Sequence, residues 1–248
     1  MSRPVAGIIC CTRTVGVENA QAVMNRYVAH AMRYADAAAL LVPSMPELMT
    51  AAEVAPRLVS CVCDVTDEAQ VQALVDAAAD RLGGIDVMIN NAGLGGSAKV
   101  VDMTDEQWSR VLDVTLTGTF RATRAVLRHM IPRGRGVIVN NASVLGWRAQ
   151  EDQAHYAAAK AGVMALTRCS AVEAAPHGIR VNAVAPSLAM HPFLAKVTTD
   201  ELLEELTARE AFGRYAEPWE IANVMIFLAS DYSSYLTGEV VSASSQRA

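Results

Sequence analysis

Tyr156 and Lys160 stand four residues apart in YAAAK, and Ser143 lies thirteen residues before the tyrosine in VIVNNASVLG. Residues four apart on a helix share a face, so the phenol and the ammonium are expected side by side. A cation beside a phenol favours the phenolate, so the tyrosine pKa is expected to fall toward neutrality. A serine hydroxyl at the end of a nearby strand would polarise a carbonyl oxygen. Together these groups would transfer a proton while an alcohol and a ketone interconvert. The pentapeptide alone is a weak signal, because Tyr and Lys at this spacing are common on exposed helix faces. Its weight comes from the segments around it.

The elements that must position these groups follow from alternation. Apolar runs that read as strands cover 5–11, 38–42, 58–63, 87–90, 136–141, 180–184 and 239–242. Segments of helical period fill the gaps, at about 18–34, 46–56, 67–82, 104–131, 152–175, 200–209 and 217–229. Thr104 before Glu106 and Gln107, and Glu217–Pro218 before an apolar run, are helix-start signals. Alternation of this kind predicts an α/β fold with a parallel sheet wound on both faces. No linker, low-complexity tract or repeat divides the chain, so residues 1–248 read as a single domain.

Composition narrows the function classes. Hydrophobic residues make up 52% of the chain, and 15 glycines accompany them, which suits a large buried core. Charged residues, at 19%, are below the usual quarter, as expected where strands are covered on both faces. A net charge of −5 without any basic run argues against nucleic acid as a partner. No apolar stretch reaches the ~18 residues of a membrane span, and the N-terminus lacks a secretion-signal layout. The five cysteines (Cys10, Cys11, Cys61, Cys63 and Cys169) form no CxxC and no Cys/His cluster of zinc spacing. No metal site is expected, and a reduced cytoplasm is the expected setting.

From residue 59 to 248 the chain resembles the short-chain dehydrogenase/reductase family. The matching segments are CDVTD (63–67), GGIDVMINNAG (83–93), VLDVTLTGTF (111–120), the serine strand, YAAAK, GIRVNAVAPS (178–187) and EPWEIANVMIFLASDYSSYLTGEVV (217–241). The resemblance implies a doubly wound Rossmann-type three-layer sandwich. Its sheet would hold seven parallel strands in the order 3-2-1-4-5-6-7. It also implies NAD or NADP as cofactor, a small alcohol or ketone as substrate, and a homodimer or homotetramer.

The first 58 residues do not match that family. Its phosphate-binding turn has the pattern TGxxxGxG, whose backbone N–H groups meet the pyrophosphate. The nearest match, CTRTVGVE (11–18), keeps only Gly16, and Thr12 and Glu18 stand where the flanking glycines belong. The segment 4–58 is instead similar to the opening of class I glutamine-amidotransferase-like hydrolases, in the branch that cleaves γ-glutamyl-γ-aminobutyrate. The cues are the PVxGI strand, Arg13, a helix centred on Tyr27, the ALLVP strand and the closing APRL. The chain therefore reads as a hybrid, with 1–58 as head and 59–248 as body. The nucleophile of that hydrolase family lies beyond the segment present here. A chain that has lost cofactor binding and serves as an assembly partner, or an accidental or engineered fusion, is the rival reading.

The resemblance carries roles onto particular residues. Ser143, Tyr156 and Lys160 would be catalytic, and Lys160 would also bind the nicotinamide ribose. Asp64 would contact the adenine ring, with Val65 beside it; a helix N-cap is the alternative for Asp64. Asn91, Ala92 and Gly93 would line the passage of the cofactor ribose. Several positions depart from the family. Thr115 stands where a catalytic asparagine holds, through its backbone, a proton-conducting water. Ser187 follows Pro186 in place of glycine, and His191 replaces the threonine that contacts the nicotinamide amide. The usual C-terminal diglycine is replaced by SASSQRA. That ending, with WRAQ (147–150) and AMHPFL (189–194), resembles an actinobacterial branch acting on steroid-like ring acids. His155 is expected at the surface, because adjacent helix positions do not share a face.

The glycine-poor turn has a measurable consequence. A carboxylate at ~4–6 Å from a phosphate costs on the order of 3 kcal/mol before salt screens it. Titration of the chain with NADH and NADPH, followed by nicotinamide fluorescence, should show binding at least ~10-fold weaker than after Thr12→Gly with Glu18→Gly. Submicromolar binding by the unaltered chain would show that the head makes a working phosphate site by another route.

Overall fold

The computed structural model describes residues 61–190 and 199–246 in full, and the backbone of 5–9, 14–15, 18–19 and 38–40. Six strands form one parallel sheet: β1 (Val5–Ile9), β2 (Ala38–Leu40), β3 (Val87–Asn90), β4 (Gly136–Asn141), β5 (Ile179–Pro186) and β6 (Val240–Ala243). Their order is β2-β1-β3-β4-β5-β6. Two strands from the head thus pair into the sheet of the body, with Ala6 opposite Val87 and Val5 opposite Ala38.

Side chains alternate across this sheet, and both faces are covered. Met88, Ile138 and Val181 point into a core shared with α1 (Glu68–Leu82), α3 (Gly118–Met130) and α4 (Ala154–Ala174). Val87, Ile89, Val139 and Val184 point the other way, onto Ile221, Met225 and Leu228 of α6 (Pro218–Ala229). Burial on both faces explains why the strands read as near-continuous apolar runs.

Helix ends follow the local chemistry of the sequence. Asp67 caps α1 by accepting from the N–H groups of Ala69 and Gln70, and Gly83 ends it at φ 75°. Thr104 and Gln107 form a capping box on α2 (Asp105–Leu112). Thr199 caps α5 (Asp200–Ala208), and Glu217 with Glu220 brackets the proline that opens α6. At the far end of α6, the Arg180 guanidinium donates to the carbonyls of Leu228 and Ser230. A cation there complements the negative end of the helix.

Three expectations need correction. The helix expected from residue 18 does not begin there: Glu18 and Asn19 pair antiparallel with Val15 and Thr14. A chain folded back on itself at that point cannot carry helical bonds through it. The remainder of that helix, and the one at 46–56, lie outside the described residues. Of the strand expected at 58–63, residues 61–63 are not in a strand, and 58–60 lie outside the description. Cys63 is 2% exposed and Val62 is 66% exposed, so the alternation is present without a ladder. The single helix expected at 104–131 is broken by a π-helical turn, Asp113–Thr117, where the Gly118 N–H reaches the Asp113 carbonyl. Such turns are rare and cluster at functional sites. No helix among the described residues is long and apolar enough to cross a membrane.

Candidate active site

Ligands of doubly wound sheets bind beyond the carboxyl ends of the strands, and the chemically interesting residues gather there. β3 and β4 run in register up to the pair Asn90–Asn140. These two side chains bond to each other at 2.9 Å, and Thr123 and Thr167 extend the chain on either side. All four are buried, so the network holds the strand ends rigidly apart from solvent. Asn91 and Asn141 come next, linked at 2.6 Å from the Asn141 amide to the Asn91 side-chain oxygen.

Ser143 leaves β4 in extended backbone and caps a short 3-10 turn by accepting from the Leu145 N–H at 3.2 Å. Its hydroxyl lies near enough to the Tyr156 phenol to favour the phenolate. Lys160 lies one turn further along α4, 3% exposed, and its ammonium donates to the Asn141 carbonyl at 2.6 Å. The same Nζ is 5.6 Å from the centre of the Tyr156 ring. The three residues read from spacing are therefore one cluster.

Their ionisation differs from the expectation. Burial pushes the Tyr156 phenol above its ordinary value, and the neighbouring Ser143 hydroxyl offsets this only in part. Burial also lowers Lys160, to about 8. Desolvation of both groups outweighs the attraction between them. The phenol is a proton donor held in its neutral form.

The residues expected around a cofactor take different positions. Gly93 sits where a Cβ would come within 3.4 Å of Lys160 Nζ, so a side chain there would crowd the ammonium. Asn91 and Ala92 are half-buried beside it. The Asp64 carboxylate accepts from the Thr66 N–H at 2.9 Å and its hydroxyl at 2.7 Å. The helix cap is Asp67, so the capping alternative for Asp64 does not hold. The Val65 side chain is core, 1% exposed, which leaves only its backbone for a ligand. Thr115 lies in the π turn, fully buried. Its hydroxyl accepts from the Leu94 N–H at 2.9 Å and donates to the Leu94 carbonyl at 3.1 Å. The Thr115 carbonyl accepts the Thr119 hydroxyl at 2.7 Å. His191 and the start of the turn at 11–18 lie outside the described residues.

Two residues escaped the sequence reading. His155 is not at the surface: it is 1% exposed, and a Cβ on Gly96 would lie 2.7 Å from its Nε2. Burial holds its pKa below the usual histidine value. The stripe 155, 159, 163 marks this second buried face and could have revealed it. Asn141 holds Lys160 and Asn91 together, and its own Oδ1 is a buried acceptor with no hydrogen-bond partner. An unmet acceptor beside a buried ammonium and a glycine-lined passage fits the hydroxyls of a nicotinamide ribose. The consecutive asparagines ending both β3 and β4 were the available signal.

A family model described as "Enoyl-(Acyl carrier protein) reductase" matches residues 13–245. The chain is 66% identical over 192 residues to (5R,7aS)-5-hydroxy-7a-methyl-1-oxo-2,3,5,6,7,7a-hexahydro-1H-indene-carboxyl-CoA reductase of Mycobacterium tuberculosis, covering 77% of this chain and 73% of that one. It is 44% identical over 179 residues to cis-4-hydroxycyclohexanecarboxylate dehydrogenase of Sinomonas cyclohexanicum, covering 72% of each. Among solved structures, a short chain dehydrogenase from Mycobacterium smegmatis superposes with a TM-score of 0.80 at 47% identity, over 99% of this chain and 94% of that one.

The ionisation of Tyr156 can be read directly. Ultraviolet titration of the cofactor-free chain, minus that of Tyr156→Phe, should give a phenolate signal with its midpoint above the ordinary tyrosine value of ~10. A midpoint near neutrality would mean that the lysine dominates after all.

Proposed function

Since the chain belongs to the short-chain dehydrogenase/reductase family, we propose that Ser143, Tyr156 and Lys160 are the catalytic set of an NAD(P)-dependent oxidoreductase acting on an alicyclic secondary alcohol and its ketone. The observation that carries this reading is the buried Lys160 ammonium, bonded to the Asn141 carbonyl at the strand end that leads to Ser143 and 5.6 Å from the centre of the Tyr156 ring. The relatives' names supply the substrate class: a fused-ring acyl-CoA and a cyclohexane carboxylate, both alicyclic.

In the reducing direction the ketone oxygen accepts from the Ser143 hydroxyl. A bound reduced nicotinamide supplies the hydride. As the carbonyl carbon gains its new C–H bond, the Tyr156 hydroxyl gives its proton to the oxygen. The phenolate that remains is stabilised by Lys160, whose charge matters most at that moment. A proton returns to Tyr156 through Lys160, with the Thr115 backbone holding the relaying water. Asp64, the Val65 backbone, Asn91, Ala92, Gly93, Tyr156 and Lys160 would hold the cofactor, either NAD or NADP.

Residues 1–248 would form a single Rossmann-type domain with its sheet in the order 3-2-1-4-5-6-7, the third strand ending before Cys61. The head keeps its likeness to the γ-glutamyl-γ-aminobutyrate hydrolase opening as a proposal about origin. A crystal structure showing 1–58 apart from the sheet would overturn this arrangement. The reading also places the enzyme in the cytoplasm; recovery in a membrane or secreted fraction would overturn that. The rival, a chain that no longer binds a dinucleotide, is favoured by the turn at 11–18. Absence of NADH and NADPH binding at millimolar concentration would establish it.

Tyr156→Phe keeps the ring and removes the transferable proton. Reduction of 4-oxocyclohexanecarboxylate by NADH or NADPH should fall at least ~10²-fold in kcat. Near-normal turnover would exclude Tyr156 as the acid.

Several apolar side chains on the long helices face outward. Phe120 and Val172 are exposed, and Leu112, Leu116 and Leu166 are half-buried. Val111 and Val163, by contrast, are taken up by the core. A homodimer or homotetramer would cover this surface. Sedimentation that finds only a 26.4 kDa species at micromolar protein would rule it out.

A further inference from the structure

Glu210 is a carboxylate that is 2% exposed, just beyond the end of α5. Among the described residues no cation lies within ion-pair distance of it. It is held by neutral donors instead: Ser245 Oγ at 2.7 Å, Ser187 Oγ at 3.1 Å and the Leu188 N–H at 3.4 Å. A buried charge is tolerated only where its lone pairs are met, so these three donors are obligatory partners. They come from two distant stretches of chain. Ser187 and Leu188 follow the end of β5, and Ser245 lies beyond β6.

The same junction is fastened on all sides. Ala211 donates its N–H to the Ser245 carbonyl, and Glu210 and Gln246 form an antiparallel bridge. The Gln246 side chain in turn accepts from Arg148, five residues after Ser143. On the other side, the Ala216 N–H donates to the Leu188 carbonyl at 2.8 Å, and the Met190 N–H donates to the Ala216 carbonyl at 3.0 Å. The motifs WRAQ, AMHPFL and SASSQRA, scattered along the sequence, thus meet through Arg148, the 187–190 segment and the tail. β4 and β5 are adjacent, so the exits bearing Ser143 and Ser187 border the same crevice.

We propose that Glu210 is a positioning residue, acting through the tail Ser244–Gln246 to set the 187–190 segment against the Ser143 loop and so to shape the ketone side of the site. The proposal rests on the oxidoreductase reading above. It assigns the unusual C-terminal ending a function: the tail is a strut between the two walls of the crevice. The charge on Glu210 gives each contact the strength of a charge-assisted bond.

The test uses the full chain, Glu210→Gln, Ser245→Ala and a chain ending at Ala243. Glu210→Gln keeps the shape and removes the charge and one acceptor. Its KM for 4-oxocyclohexanecarboxylate should rise about 10-fold, the equivalent of one charge-assisted hydrogen bond. Its kcat and its NADH affinity, read by fluorescence, should stay within about 2-fold of wild type, because the Ser143–Tyr156–Lys160 cluster is untouched. Ser245→Ala should move KM in the same direction by a smaller factor, and the shortened chain by at least as much as Glu210→Gln. A lower melting temperature with KM unchanged would reduce the junction to simple fastening and overturn the proposal. Should Glu210→Gln fail to fold, Ser245→Ala decides by the same criterion. If wild type reduces no ketone, the oxidoreductase reading fails by itself. The strut is then judged by amide hydrogen exchange: residues 184–190 should exchange at least ~5-fold faster in Ser245→Ala. Equal exchange there overturns it whatever the activity.

Discussion

A buried ammonium organises the site. Lys160 is almost wholly withdrawn from water, and the Asn141 carbonyl accepts a hydrogen bond from its ammonium at 2.6 Å. Removing an ion from water costs several kcal/mol unless fixed dipoles replace the solvent. The carbonyl can do so because β4 ends at Asn141, where strand pairing no longer claims every acceptor on both edges. The position of Lys160 therefore depends on where β4 stops and on the register of α4 against it. Tyr156 inherits that register, one turn earlier on the same helix. Ser143 inherits the strand end, two residues later. A shift of α4 by one residue would carry Tyr156 and Lys160 together away from Ser143 and the Asn141 carbonyl.

The sheet makes that register hard to change. β3, β4 and β5 are locked in parallel register and buried on both faces, so sliding any strand would move apolar side chains across the wrong layer. The Thr123–Asn90–Asn140–Thr167 network adds a polar constraint inside the apolar core. Each member of it would leave buried donors or acceptors unmet if displaced. The π turn at Asp113–Thr117 serves the same end from the neighbouring helix, because it turns the Thr115 hydroxyl onto both backbone groups of Leu94. The loop that follows β3 is thereby tied to the helix that faces Lys160.

Desolvation explains why a low tyrosine pKa does not follow from proximity alone. The phenolate and the ammonium would attract, yet each must first lose its water. That loss governs both groups, raising Tyr156 and lowering Lys160 to about 8. The pair is set for proton donation, with the charge on Lys160 near its balance point around neutral to mildly alkaline pH.

Much of this was legible in the chain. The strands at 87–90 and 136–141 and the helices at 67–82, 152–175 and 217–229 follow from apolar period, caps and glycine stops, all local properties. Tyr156 and Lys160 share a face because a helix has a fixed pitch. Other features are not local. The strand reading of 61–63 fails because alternation says which side chains are buried but not whether an edge is there to pair with. His155 was placed outside because one buried face was assumed for α4, whereas loop 93–99 covers a second. Glu210 reads as one more acid in a charged stretch; only the meeting of Ser187, Leu188 and Ser245 around it makes it a buried hub. The sequence by itself determined most of the elements, the fold class and the shared face of Tyr156 and Lys160, because pitch, capping and alternation act over a few residues. Tertiary structure alone decided what is buried, what is charged and which distant segments share a wall, because desolvation and hydrogen-bond partners depend on neighbours that the order of the chain does not reveal.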